Sequence, residues 1–180
     1  MPDTRSPTKT ELLEMLRESG ARIVEHVRAM PVARLDEGRY ENGWSAREIL
    51  AHIAAIEWTY PRLLDVAAEA PATPDGAPRA DLRGTSPEQA AGAPTRPVSG
   101  GIDAYNARQV EKRAGASVAE LLAEFEKNRA ATVGAVEAAD DALLERPVRS
   151  AGGITGTLAG VLRAVAVEHV LGHARDIAGE

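Results

Sequence analysis

The chain has 180 residues, a formal charge of −6 and a pI near 5.3. It carries no cysteine, which excludes disulfides, thiolate metal ligands and a cysteine nucleophile. Without a basic stripe nucleic acid is an unfavourable partner, without a long apolar run no bilayer span is expected, and the opening Met-Pro-Asp-Thr-Arg-Ser lacks the order of a signal peptide, so a cytoplasmic protein is expected.

The length suits one domain, taken as 1–180. Alanine, leucine, glutamate and arginine dominate, which favours helices over strands. The first predicted helix starts at Thr8 or Thr10, where Thr8 and Glu11 have capping-box spacing, and Pro31 ends it after Met30. Leu12, Leu16, Ile23 and Val27 trace its apolar stripe. Ser45 and Glu48 form a second capping box, with Trp44 placed to pack over the helix start. The second helix runs to about Tyr60, with an extension past Pro61 to Ala70 left open. Ile49, Ile53 and Ile56 mark its core face, and His52 falls on the same side.

Residues 71–101 hold six of the eleven prolines and five glycines, and read as a long irregular loop that could wall or cover a site. A third helix is expected from Ile102 or Asp103. Gly115 interrupts it, and Ser117 with Glu120 supplies a third capping box for a segment reaching Ala138. A short turn follows at Asp140, closed by Pro147. Gly152, Gly153 and Gly156 point to a loop or hairpin-like turn. The last helix begins near Thr155 or Thr157, and one uninterrupted stripe is expected through Leu158, Leu162, Val165, His169, His173 and Ile177.

His169 and His173 are four residues apart on that helix, so their rings stand roughly 6 Å apart in rise and only ~40° apart in rotation. Both can reach one point beside the helix, which is how a helix offers two imidazoles to one metal. The spacing alone is a weak signal, for which an ordinary surface or core pair is the favoured reading. His52 adds a third inward ring from another helix, and three protein ligands with an open position are the pattern of a catalytic metal site. His26 has no spaced companion and reads as a boundary residue.

Asp176, three residues after His173, could orient a ligand ring. Pairing with Arg175 or another exposed arginine is the favoured reading. Glu57 reads as a solvated residue or one that supports the ligands from behind, and Tyr105 and Asn106 could reach a pocket, though capping and packing explain them as well. No phosphate loop, dinucleotide fingerprint or Gly-x-Ser-x-Gly elbow is present.

Three motifs taken together carry a family resemblance: Gly43-Trp-Ser-Ala-Arg-Glu-Ile-Leu-Ala-His52, Asp103-Ala-Tyr-Asn106, and His169-Val-Leu-Gly-His173-Ala-Arg-Asp-Ile177. In their order and spacing the chain resembles the DinB/YfiT-like superfamily of metalloenzymes, which includes mycothiol-dependent maleylpyruvate isomerase-type domains and bacillithiol transferases. The resemblance implies an all-α four-helix bundle, up-down-down-up, with a long crossover between the second and third helices. It also implies one divalent cation, zinc, nickel or iron, on His52, His169 and His173. The activity it implies is S-transfer or isomerisation, with mycothiol or another low-molecular-weight thiol and an electrophilic small molecule as partners. A metal-dependent hydrolase and a non-catalytic, stress-linked binding bundle are the competing readings. A homodimer paired through helix faces is compatible with such a bundle.

Overall fold

The structure is a computed structural model that describes residues 5–37, 43–69 and 99–178. Helix α1 spans Lys9–Ala29, and a short 3-10 turn, Val32–Asp36, follows it. Next come α2, Ala46–Glu57, and α3, Pro61–Glu69. Then α4, Gly101–Glu111, precedes the long α5, Val118–Ala138, and the single-turn α6, Asp141–Leu144. A two-stranded hairpin, β1 Pro147–Arg149 and β2 Thr155–Thr157, leads into α7, Leu158–Leu162. The chain then makes a π-helical turn, Arg163–Glu168, and ends in α8, His169–Ala178.

The helix starts follow from local chemistry. Thr8, Ser45 and Ser117 each accept the backbone N–H three residues on, and Glu11, Glu48 and Glu120 each reach back to the cap backbone. Such reciprocal bonds satisfy donors that a helix start otherwise leaves open. At the other end of α1, Met30 leaves the helical conformation just before Pro31. The extension considered for the second helix resolves as a break. Residues 58–60 leave the α-helical path, and Pro61, which needs no N–H partner at a helix start, opens α3.

The direction of each helix can be read from the two ends of the core. One end gathers Leu12, Leu16, Ile56, Tyr60, Val136, Leu158 and Leu162. The other gathers Ile23, Val27, Ile49, Ile53, Leu121, Phe125, Val170 and Ile177. Thus α1 runs from the first end to the second, α2 and α5 run back, and the α7–α8 segment runs forward. This is the up-down-down-up four-helix bundle. Two successive parallel helices, α2 and α5, need a connection that returns the length of the bundle. Helix α4 supplies part of it, packing beside α2. Its first turns face Trp58 and Arg62, and its last turn faces Trp44 and Arg47. The irregular loop expected at 71–101 lies outside the described residues as far as 98. Of the rest, Ser99 and Gly100 form a turn and Gly101 opens α4.

The uninterrupted last helix is corrected by the π-helical turn. The His169 N–H bonds to the Ala164 carbonyl, one residue farther back than in an α-helix. The wider turn rotates the register, so the buried face passes from Leu158 and Leu162 through Ala166 and Val167 to Val170, Ala174 and Ile177. It also presents carbonyls to side chains from neighbouring helices. The Tyr60 hydroxyl donates to the Val165 oxygen at 2.6 Å, and Arg129 donates to the Ala166 oxygen at 2.8 Å. No helix among the described residues is long and apolar enough to cross a membrane.

Candidate metal centre

One capped helix start and one helical defect set the site. The Ser45 capping box fixes the first turn of α2, and His52 sits fewer than two turns beyond it, only 3% exposed. Trp44, just before the cap, lays its ring 5.1 Å from the His52 ring. From the other side, the π-helical turn ends at His169, and regular α-helix then places His173 one turn further on.

The three rings converge. Centroid separations are 5.4 Å for His52 and His169, 5.3 Å for His52 and His173, and 4.5 Å for His169 and His173. One ring nitrogen from each lies within 4.8 Å of the others. Nitrogens bound tetrahedrally to zinc at about 2.0–2.1 Å stand roughly 3.4 Å from one another, so small side-chain rotations close the cluster on an ion.

The donor set fits a divalent cation on chemical grounds. His52 Nδ1 is buried with no hydrogen-bond partner, a state that burial makes costly and a ligand would relieve. Two of the rings, His52 and His169, are held neutral, as ligation requires. Burial, and then the neighbouring His173 and His169 rings, push the His52 pKa down to about 3. Burial and His173 push His169 down to about 4, against a hydrogen bond to the Val165 backbone and the charge of Asp176.

Asp176 corrects the arginine-pairing expectation. Its Oδ2 lies 3.2 Å from His173 Nδ1, while Arg175 turns to the Leu171 carbonyl. The contact favours the tautomer that keeps the proton on Nδ1 and leaves Nε2 free to bind a cation. Glu57 departs from its expected place. It is fully buried, does not line the cavity beside the histidines, and pairs with Arg129. Arg129 Nη2 donates to Glu57 Oε2 at 2.8 Å, and its Nε lies 2.8 Å from Oε1. Burial pushes the Glu57 carboxyl up, and Arg129 and Thr132 pull it back. His26 on α1 is half-buried and outside the cluster.

Tyr105 and Asn106 do reach a pocket. They line a cavity of about 610 Å³ whose wall includes His52 and His169, with Ile56, Leu63, Val66, Ile102 and Ile154 supplying apolar surface. The hairpin delivers Arg149, Ser150 and Ile154 to the same cavity. Trp44, Tyr60 and Arg129 escape a reading of the sequence as site or supporting residues. Trp44 carries a signal in its position beside the Ser45 cap, whereas a lone arginine within α5 carries none.

Comparison with known proteins agrees with this architecture. The family model for the DinB superfamily matches residues 15–177. Among solved structures, YfiT from Bacillus subtilis is similar in fold, with a TM-score of 0.70 and 16% identity, covering 99% of this chain and 90% of that chain. That protein is described as a probable metal-dependent hydrolase with an unusual four-helix bundle topology. No curated protein matches the chain by sequence.

Proposed function

The chain belongs to the DinB superfamily, and from that premise we propose that it is a divalent-metal-dependent enzyme using a low-molecular-weight thiol for S-transfer to, or isomerisation of, an electrophilic small molecule. The observation that carries the proposal is the convergence of His52, His169 and His173 beside an apolar cavity. His52 and His169 form part of the cavity wall, so a substrate in the cavity would lie against the cluster. A cation held there would stabilise a deprotonated sulfur or oxygen nucleophile beside the substrate.

The chain's own residues then have separable tasks. The three imidazoles are neutral donors. Asp176 fixes the His173 ring, and the π-helical turn with its Tyr60 contact aims His169. Apolar residues of α2, α3 and α4 exclude water from the reacting centre. The chain has no cysteine, so a sulfur nucleophile arrives on the co-substrate. A cavity of about 610 Å³ has room for a small thiol and a small electrophile together. A reducing cytoplasmic setting, where such thiols stay unoxidised, belongs to the same proposal.

Hydrolysis is the second reading, favoured by the description of the similarly folded YfiT as a probable metal-dependent hydrolase. Elemental analysis of protein purified without a histidine tag tests the shared premise, with about one metal per chain expected. Thiol consumption with mycothiol, bacillithiol or glutathione and an aryl halide then separates the two reactions. Turnover of an activated ester without any thiol would favour hydrolysis.

A further inference from the structure

The walls of the cavity carry an asymmetry of charge that the histidines do not explain. Arg62 and Arg149 line it, and no aspartate or glutamate does among the described residues. The protein is acidic, with 27 carboxylate side chains against 21 lysines and arginines. Elsewhere arginines have found a carboxylate: Arg28 with Glu126, Arg47 with Asp36, Arg113 with Glu124 and Arg129 with Glu57. Arg62 and Arg149 have no carboxylate partner among the described residues. The Arg62 guanidinium carbon instead lies 4.1 Å over the Trp58 ring centroid, a cation–π contact. Arg149 is half-buried at the end of β1, beside the hairpin turn.

A third observation concerns Asn106. Its Oδ1 is buried without a hydrogen-bond partner, and the residue lines the same cavity. An unpaired amide oxygen in a largely apolar wall is the kind of group that fixes a ligand's orientation.

We propose that this cavity binds a small organic acid with an apolar body, its carboxylate held by Arg62 and Arg149 and a hydrogen-bond donor of its body meeting Asn106. The inference deepens the metal-dependent reading by naming the substrate class of the same site, and it rests on that reading for the reaction that follows. Neutral imidazoles leave a bound cation's charge uncompensated, and Asp176 offsets it only through His173, so the cation and the two arginines all favour an anion. A guanidinium matches a carboxylate in two parallel hydrogen bonds, which an amide of the same shape cannot reproduce.

The test uses metal-free protein at neutral pH, so that only the arginines can tell the probes apart. Phenylpropionate and phenylpropionamide are titrated by calorimetry into the native chain and into Arg62→Gln, Arg149→Gln and the double variant. The carboxylate is expected to bind at least about tenfold more tightly than the amide, the size of effect a charge-assisted hydrogen bond supplies. Each single variant should reduce that ratio, and the double variant should bring it close to one. Equal affinities in the native chain, or a preference that survives in the double variant, would overturn the proposal. Zinc stoichiometry, measured separately, keeps the two readings apart. A chain that prefers the carboxylate through these arginines yet takes up no zinc would uphold this inference and break the metal-dependent one. The double variant should take up zinc as the native chain does, since neither arginine touches the histidines.

Discussion

Two buried polar clusters lie within one bundle and behave in opposite ways. Around Arg129 the partners are internal. Its guanidinium reaches the Leu16 carbonyl at 2.8 Å, Ser19 Oγ at 2.9 Å, Glu57 and the Ala166 carbonyl, and Thr132 completes Glu57 at 3.0 Å. Gly20 makes room for it, since a Cβ there would stand 3.3 Å from Arg129 Cγ. The histidine cluster keeps a buried nitrogen unpartnered and opens on a cavity. Both groups were costly to bury, yet only one has its charge met by the protein itself: even Arg129 Nε, which makes no hydrogen bond, stands 2.8 Å from Glu57 Oε1, whereas His52 Nδ1 has no partner. The difference separates a polar group that ties helices together from one arranged to receive something else. The two also meet, because the Ala166 carbonyl held by Arg129 belongs to the π-helical turn that delivers His169.

The sharpest way to break the comparison is to remove a ring. His52→Ala or His169→Ala should take metal content from about one per chain to near zero while the circular dichroism spectrum stays helical. Full metal retention in either variant would remove that residue from the ligand set. Arg129→Met should act in the opposite sense, lowering unfolding free energy by about 3–5 kcal/mol because Glu57 is left as a buried, uncompensated charge. Denaturant titration of a Glu57→Leu, Arg129→Met double variant should recover much of that loss. A double variant as unstable as the single one would mean that the carbonyl contacts of Arg129, rather than its charge, dominate.

Acid should sharpen the contrast further. His52 and His169 have folded pKa values below the ordinary value of 6.5, at about 3 and about 4. Below pH 6.5 the unfolded chain binds protons that the folded chain refuses, so metal-free protein should lose stability as pH falls towards those values. Each histidine contributes at most about 1.4 kcal/mol per pH unit. Thermal melts of metal-free native protein and of a His52→Gln, His169→Gln variant should diverge in slope below pH 6.5 and run parallel above it.

Smaller effects probe the supports. Asp176→Asn should weaken zinc affinity roughly 10- to 100-fold in a chelator competition, with stoichiometry restored at saturating zinc. Tyr60→Phe deletes a buried hydroxyl that donates to the Val165 carbonyl, and should cost about 1 kcal/mol in denaturant titration.

What a reader of the sequence can see divides along the same lines as the physics. The caps at Thr8, Ser45 and Ser117 and the stop at Pro31 are short-range chemistry, so three or four letters identify them. The His169 and His173 pairing is equally local. Bringing His52 to it depends on helix order, which the three-motif resemblance supplied and the sorting of Leu12, Ile23, Ile49 and Leu158 between two core ends bears out. The Arg129 and Glu57 pair is the opposite case. Each residue alone looks like a solvated helix charge, and only contact across 72 positions makes them one unit. The π-helical turn is equally hidden. Arg163-Ala-Val-Ala-Val-Glu168 holds no glycine or proline to announce it, and its partners Tyr60 and Arg129 lie on other helices. Asp176 was ambiguous because two partners lay within reach on its own helix, and only side-chain direction chose His173 over Arg175.

The central claim is that imidazoles from α2 and α8 share one cation. An X-ray absorption spectrum at the metal edge of untagged, zinc-loaded protein tests it most directly. The account predicts three imidazole nitrogens at about 2.0–2.1 Å with lighter-atom ligands completing the shell, and loss of the imidazole signal in His169→Ala. A spectrum with fewer imidazoles, or one unchanged in that variant, would contradict it.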